Sequence, residues 1–372
     1  MKAYNLLFIA FFFLFAVIYI CCSSNNDNSA DVIGSDMGNF EDVSNGDIDI
    51  TDTSSDSGLK DKYFAISFDE RKLAFFDRKN LSDEPFLIIN AGGEISTVEI
   101  IRENNIIVYS DLKAKELILL KDFKEIKRIS NIGDYPYSMT YIPRIKLLII
   151  PDKSSNRLYI YDMDKMEFSS LSPMTAGGNS PISLCFDDSP LTQGLQVRLL
   201  ILNYGSLNVR AYDIFDKENW ALRPEKLPTL SEPLKIACDS VNRRLLVVNS
   251  ASNNISAFEL NDLVQIANSP FEAGKNPTFA AMHSGASIAY VTNTNDDSLT
   301  IFSTKEMKAK GGISFKPQDR PSRVYVNESE NRLYVLLSGA KALLIYDIED
   351  PLLPVKLGQI NFDSTPREVI YR

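Results

Sequence analysis

Residues 289–304 read AYVTNTNDDSLTIFST, and this pattern decides the fold because it returns along the chain. Residues 245–260 (LLVVNSASNNISAFEL), 147–162 (LLIIPDKSSNRLYIYD) and 333–347 (LYVLLSGAKALLIYD) follow the same template. An apolar run ends at a small or polar residue, a short polar turn follows, and a second run closes on an aromatic and often an acid. One such unit cannot bury its own apolar faces. Self-similarity at a period of about 40–45 residues therefore marks a propeller or a solenoid.

Two markers count the units. The positions equivalent to Asn293 are Ser67, Ser110, Pro151, Asn203, Asn249 and Leu337, with intervals of 41 to 52 residues. The second marker is a turn ending in proline with apolar residues three and five positions later. It occurs at Pro136 (Met139, Tyr141), Pro181 (Leu184, Phe186), Pro233 (Ile236, Cys238), Pro277 (Ala280, Met282), Pro321 (Val324, Val326) and Pro366 (Val369, Tyr371). Ile95 replaces the proline in the first copy and is followed by Val98 and Ile100. Each marker occurs seven times. The 52-residue interval holds residues 187–196, a turn about six residues longer than its counterparts and so a surface loop, not an extra unit.

Each unit reads as four short strands. The inner strand follows the proline, whose preset φ and missing N–H suit a strand start. The second strand is the LYV-type run. The third ends in Phe76, Tyr161, Tyr212, Phe258, Phe302 or Tyr346, with Leu120 in the remaining copy. The outer strand is a weaker run such as residues 86–89. Period-two alternation and the Asn, Ser, Asp and Gly clusters between runs support this reading. The repeats begin at Tyr63 with a second strand and end at residues 366–371 with an inner strand. One missing strand and one spare strand of the same type predict a closed ring, which removes open sheet edges. An open β-solenoid, the other reading, leaves both ends uncapped. The expected fold is all-β: a seven-bladed β-propeller of four-stranded blades, closed by the C-terminal strand pairing with the first blade.

The repeats resemble the YVTN β-propeller family, whose units run G-x-x-P, an apolar strand, LYVxN, a polar turn and a strand ending in an acid. The resemblance spans residues 59–372 and is sharpest at residues 277–304 and 245–260. The unit with Ile95 for proline and Tyr109-Ser110 for the Thr-Asn pair departs most. WD-repeat propellers match less well, since Trp220 is the only tryptophan and His283 the only histidine. The resemblance implies a fold and no single function.

The net charge of −10 is concentrated in one place: residues 23–62 hold nine Asp and one Glu against two Lys. The propeller region is near neutral and offers no broad electrostatic footprint for nucleic acid. Residues 1–22 carry Lys2, an apolar stretch at 6–20, then Cys21-Cys22-Ser23-Ser24. A short cationic start and an apolar run of this length read as a secretory signal. It resembles a bacterial lipoprotein signal, with Cys22 favoured for lipidation and Cys21 the alternative; an ordinary cleaved signal or an uncleaved anchor remains the other reading. Residues 23–58 are too polar to offset their ordering entropy and read as an acidic, disordered leash. The address expected is the cell envelope, in the outer membrane if the host is a diderm bacterium, with the propeller extracytoplasmic and monomeric.

No C-x-x-C-H is present, and one histidine cannot supply multi-histidine metal sites; no cofactor or metal is expected. No G-x-S-x-G, P-loop or H-E-x-x-H occurs. His283 reads as an exposed turn residue. Asp77, Asp162, Asp213, Glu259 and Asp347 end third strands at one repeat position, which suggests turn hydrogen bonding and not a carboxylate array. The Asn- and Asp-rich segments 249–254 and 293–297 lack calcium-loop spacing. Cys185 and Cys238 fall on consecutive inner strands with side chains that can face each other. Sheets packed about 10 Å apart favour two buried thiols; converging inner strands and an exported chain allow a disulfide.

Two functions compete. One is a membrane-tethered interaction or scaffold module for a protein or an envelope polymer, with no catalytic residues. The other is a hydrolase similar to lactonase-type propellers, acting on a small sugar-acid lactone with Arg320, Arg323 and Arg367 as an anion clamp.

Overall fold

The computed structural model describes residues 49–52, as backbone, together with 62–189 and 194–372. The signal and lipidation cysteines, Cys21 and Cys22, lie outside the described residues, as do 23–48, 53–61 and the loop residues 190–193. Among the described residues no helix is long and apolar enough to cross a membrane.

The described chain forms seven antiparallel sheets, each meandering outward from an inner strand. The inner strands of blades two to seven are Val98–Ile101, Thr140–Ile142, Pro181–Asp187, Pro233–Asp239, Pro277–His283 and Pro321–Asn327. Blade one takes its inner strand from the other end of the chain. Pro366–Tyr371 pairs with Tyr63–Phe68, setting Tyr371 opposite Phe64 and Val369 opposite Ile66. The ring is closed by this pairing.

Local chemistry explains why several blades open alike. In blade six the Asn293 Oδ1 accepts the Gly274 N–H at 3.1 Å. Its Nδ2 donates to Ser298 Oγ at 3.1 Å and to Thr300 Oγ1 at 2.8 Å. The amide thus ties the turn before the inner strand to the start of the third strand. A Cβ on Gly274 would stand 2.6 Å from the Asn293 Cγ, and one on Gly178 the same distance from that of Asn203. The glycine of the proline turn and the asparagine of the second strand are two halves of one contact.

Strand register corrects the repeat alignment in the first three blades. Pro366 faces Phe68 and Pro136 faces Asp152, as Pro277 faces Asn293. Counted from the pairing of Ile100 with Ile107, the matching residue in blade two is Asp111. The equivalents are therefore Phe68, Asp111 and Asp152, one residue after Ser67, Ser110 and Pro151. Asp152 takes over the asparagine's task by accepting the Tyr135 N–H at 2.7 Å. A one-residue slip was invisible in apolar runs flanked on both sides by polar residues.

Seven buried clusters fill the ring, one between each pair of neighbouring blades. The cluster across the closure joins Phe64, Ile66 and Phe76 of blade one to Tyr334, Leu336 and Ile345 of blade seven. Arg78 crosses the same seam: its side chain is 7% exposed. It donates to Tyr334 Oη at 2.8 Å, to Glu330 and to the Arg372 carbonyl. Its guanidinium also lies over the rings of Phe64, Tyr334 and Tyr371. A buried arginine is tolerated because its donors and its charge are both answered.

Two further expectations change. Asp49–Asp52, assigned from composition to the disordered leash, pairs with Leu87–Asn90 as a fifth strand on blade one. An outer strand exposes unpaired backbone groups that even a polar segment can satisfy. His283 is buried at 8% exposure and not free at a turn. It ends the inner strand of blade six, and its Nδ1 accepts the Ala286 N–H at 3.3 Å to cap the following 3₁₀ turn. The acids ending the third strands do bond locally. Asp77 and Asp347 accept the N–H groups two residues on, and Asp213 is paired with Arg198.

Candidate functional site

The seven inner strands surround an axial cavity of about 670 Å³. Most inner strands carry a bulge just after the proline, a device that re-aims the next side chain. The residue two places after each proline, or after Ile95, lines the cavity. In blade order from two these are Thr97, Ser138, Ser183, Lys235, Phe279 and Arg323, with Glu368 from blade one. Repetition supplies the position, and the side chain differs from blade to blade.

The ring is lopsided. Blades two to four contribute small hydroxyls, whereas blades five, six, seven and one contribute a cation, an aromatic ring, a second cation and an acid. These four touch in sequence. The Lys235 Nζ lies 4.3 Å from the Phe279 ring centroid, and the Arg323 guanidinium lies 5.2 Å from it. Arg323 Nε is 3.5 Å from Glu368 Oε2. Tyr325 packs on Phe279 with ring centroids 5.5 Å apart. Glu99 enters the cavity from blade two, four places after Ile95.

Burial sets the electrostatics. Glu99 and Lys235 keep part of their surface open to the cavity but are otherwise enclosed by protein. Burial pushes the Glu99 carboxyl up to about 7, against the opposing pull of the Ile100 and Tyr141 backbone and of Arg102 and Lys235. Burial pushes the Lys235 ammonium down to about 8; Glu368 and Glu99 oppose the shift and Arg323 reinforces it. Several buried polar atoms at the cavity wall, Ser138 Oγ, Tyr325 Oη and Arg323 Nε, have no hydrogen-bond partner. Such groups are costly unless water or a ligand meets them.

Of the three arginines proposed as a clamp, only Arg323 sits among the cavity's other charged groups without a close carboxylate hydrogen bond. Arg367 reaches the cavity mouth but is paired with Asp69 and Glu94. Arg320 precedes the inner strand, is exposed, and takes no part in the lining. Sequence reading passed over Glu99, Lys235, Phe279 and Glu368. The signal that finds three of them is the repeat position two after the proline, taken across blades.

Cys185 and Cys238 are joined in a disulfide with their Cα atoms 5.7 Å apart. The sheet spacing that favoured free thiols does not hold at the axis, where blades converge. The same closeness lets the Ile236 N–H reach Ser183 Oγ at 3.3 Å across those blades.

The fold and channel define the class as a seven-bladed β-propeller with a polar and aromatic axial cavity. No protein-family model matches the chain, and no curated protein matches it in sequence. Solved structures match in fold. A Bacteroides uniformis protein named "putative 6-phosphogluconolactonase" aligns at TM-score 0.65 and 9% identity, over 84% of this chain and 100% of that one. One of the same name from Bacteroides fragilis gives 0.62 and 12%, over 86% and 99%. The WD40 repeats of RRP9 align at 0.58 and 10%, over 72% and 81%. At these identities the likeness is one of architecture.

Proposed function

We propose that the chain is a lipid-anchored, extracytoplasmic β-propeller that works as an interaction module, held by Cys22 or Cys21 and spaced from the membrane by its acidic segment. The repeats fit the YVTN resemblance. The observation that carries the reading is the ring two residues after the prolines: a repeated scaffold presenting seven side chains of six kinds, from Thr97 to Glu368. Repeats that hold geometry constant while varying the presented groups suit recognition. A protein or an envelope polymer is the partner class. Cross-linking in intact membranes followed by affinity capture should enrich one consistent macromolecule, and enrichment of none counts against the module. Replacing Cys21 and Cys22 together by Ala should release the protein from the membrane fraction or stall it as precursor, because lipidated cysteine supplies the anchor. Continued tight attachment in that variant favours an uncleaved apolar anchor.

A second reading has its own observation. Glu99 and Lys235, an acid raised and a base lowered toward neutrality in one cavity, are the pairing a hydrolase uses for proton transfer. Hydrolysis of any member of a sugar-acid lactone panel, lost in Glu99→Gln, establishes it; an inactive wild type removes it.

A further inference from the structure

The run of cavity groups from blade five to blade one is unbalanced. Arg323 faces Glu368 at 3.5 Å, so one cation and one acid answer each other. Lys235 lies against the face of Phe279 and makes no hydrogen bond to a carboxylate among the described residues. The ring face holds a cation there by its quadrupole and leaves the ammonium's three donors for something else. Tyr325 Oη beside it is buried and unpartnered, and Arg323 Nε meets Glu368 as an ion pair without a hydrogen bond. Donors outnumber acceptors on this wall, and they converge from blades five and seven on either side of Phe279.

We infer that the axial cavity binds a small organic carboxylate, with its two oxygens between Lys235 and Arg323, the Tyr325 hydroxyl donating beside them, and its body lying toward Ser138 and Ser183. This goes beyond the interaction-module reading and does not depend on it, because the ligand is a small molecule inside the ring. Charge argues for the class. With Arg323 answered by Glu368, the wall carries about one uncompensated positive charge, that of Lys235, which matches a monoanion better than a phosphate dianion. Space argues for a small body: about 670 Å³ lies within the range of small-molecule pockets. The Thr97, Ser138 and Ser183 half of the ring leaves room opposite the cations.

Protonation should couple to binding in one direction. The charged groups facing the site are Glu99, Lys235, Arg323, Glu368, Arg102 and, at the mouth, Arg367; the phenols are Tyr135, Tyr137, Tyr325 and Tyr371. As pH rises through about 7 the Glu99 carboxyl gains its charge, and through about 8 the Lys235 ammonium loses its own. The first adds a repulsion and the second removes an attraction, so affinity for a carboxylate falls steadily from pH 6 to 9.

Isothermal titration of the detergent-solubilised full-length protein tests this with benzoate and lactate, each against its neutral amide, and with inorganic phosphate. The expected result is that at least one carboxylate binds with a Kd below about 10 mM, that its amide and phosphate do not, and that Lys235→Gln weakens binding at least about tenfold. Arg320→Gln, outside the cavity, should leave it unchanged. Lys235→Arg keeps the charge and should retain binding. A carboxylate and its amide binding alike, phosphate binding alone, no binding by either carboxylate, or full affinity in Lys235→Gln each overturns the assignment. Should Lys235→Gln not fold, the wild-type titration repeated from pH 6 to 9 decides, and affinity that does not fall overturns it equally.

Discussion

Asn293 shows how much one side chain organises. Its amide satisfies a turn N–H and two hydroxyls inside the protein, so Asn293→Ala leaves buried partners unmet and should cost about 1–3 kcal/mol. Urea unfolding measures it. Gly274→Ala should be destabilising alone, since its Cβ would stand 2.6 Å from the Asn293 amide carbon. In Asn293→Ala the amide part of that obstacle is gone and only the Cβ, 2.8 Å away, remains, so the pair should cost less than the sum of the singles. Strict additivity would mean that the two residues are not one contact. Asn293 was legible as a repeat marker in the sequence; its partner Gly274 was legible too, as the start of the proline turn. That they touch was not, because the two lie 19 residues apart and only strand pairing brings them together.

At the level of the strand, two elements carry the ring. Deleting residues 366–372 removes the only inner strand available to blade one. It strips the partner from Tyr63–Phe68 and removes the ring of Tyr371 from Arg78. The expected outcome is loss of the cooperative thermal transition; a truncated protein melting at the wild-type temperature would show that closure lies elsewhere. Arg78→Ala should lower the melting temperature without abolishing the fold, since strand pairing survives it. The inner strands of blades four and five are also cross-linked across a separation of 53 residues. Loss of that link in a Cys185→Ser, Cys238→Ser double variant should cost about 2–4 kcal/mol by freeing the unfolded chain. Thiol labelling of unreduced, denatured protein should find neither propeller cysteine reactive, and labelling of both would mean that the bond is absent. Sequence reasoning reached the facing of the two residues and stopped at an average sheet spacing. That average fails next to the axis.

Across the whole molecule, stability should follow the cavity's two titrating groups. Glu99 is raised in the folded state from 4.5 to about 7. Its contribution is therefore fully present below about pH 4.5 and is lost as pH rises through about 7. Lys235 is lowered from 10.5 to about 8. Its contribution is present above about pH 10.5 and is lost as pH falls through about 8. Between about pH 7 and 8 both charges sit buried, and these two groups then help least. Glu99→Gln should flatten the fall in melting temperature between about pH 4.5 and 7, and Lys235→Met the rise between about pH 8 and 10.5. Profiles parallel to the wild type in both variants would place the charges in bulk-like water.

The sequence alone determined the number of blades, their order and the way the ring shuts. Each of those follows from local signals: period-two runs, turn residues, a proline at six of the seven inner strands, and one strand missing where another is spare. The tertiary structure alone decided what meets at the axis. Lys235, Phe279, Arg323 and Glu368 stand 44 or 45 residues apart in the chain, yet they touch because four sheets converge there. The burial of His283, the reach of Cys185 to Cys238, and the opposed shifts of Glu99 and Lys235 have the same origin. A repeat tells each side chain its place within a blade; only the closing of seven blades around one axis determines its neighbours and how much water they leave it.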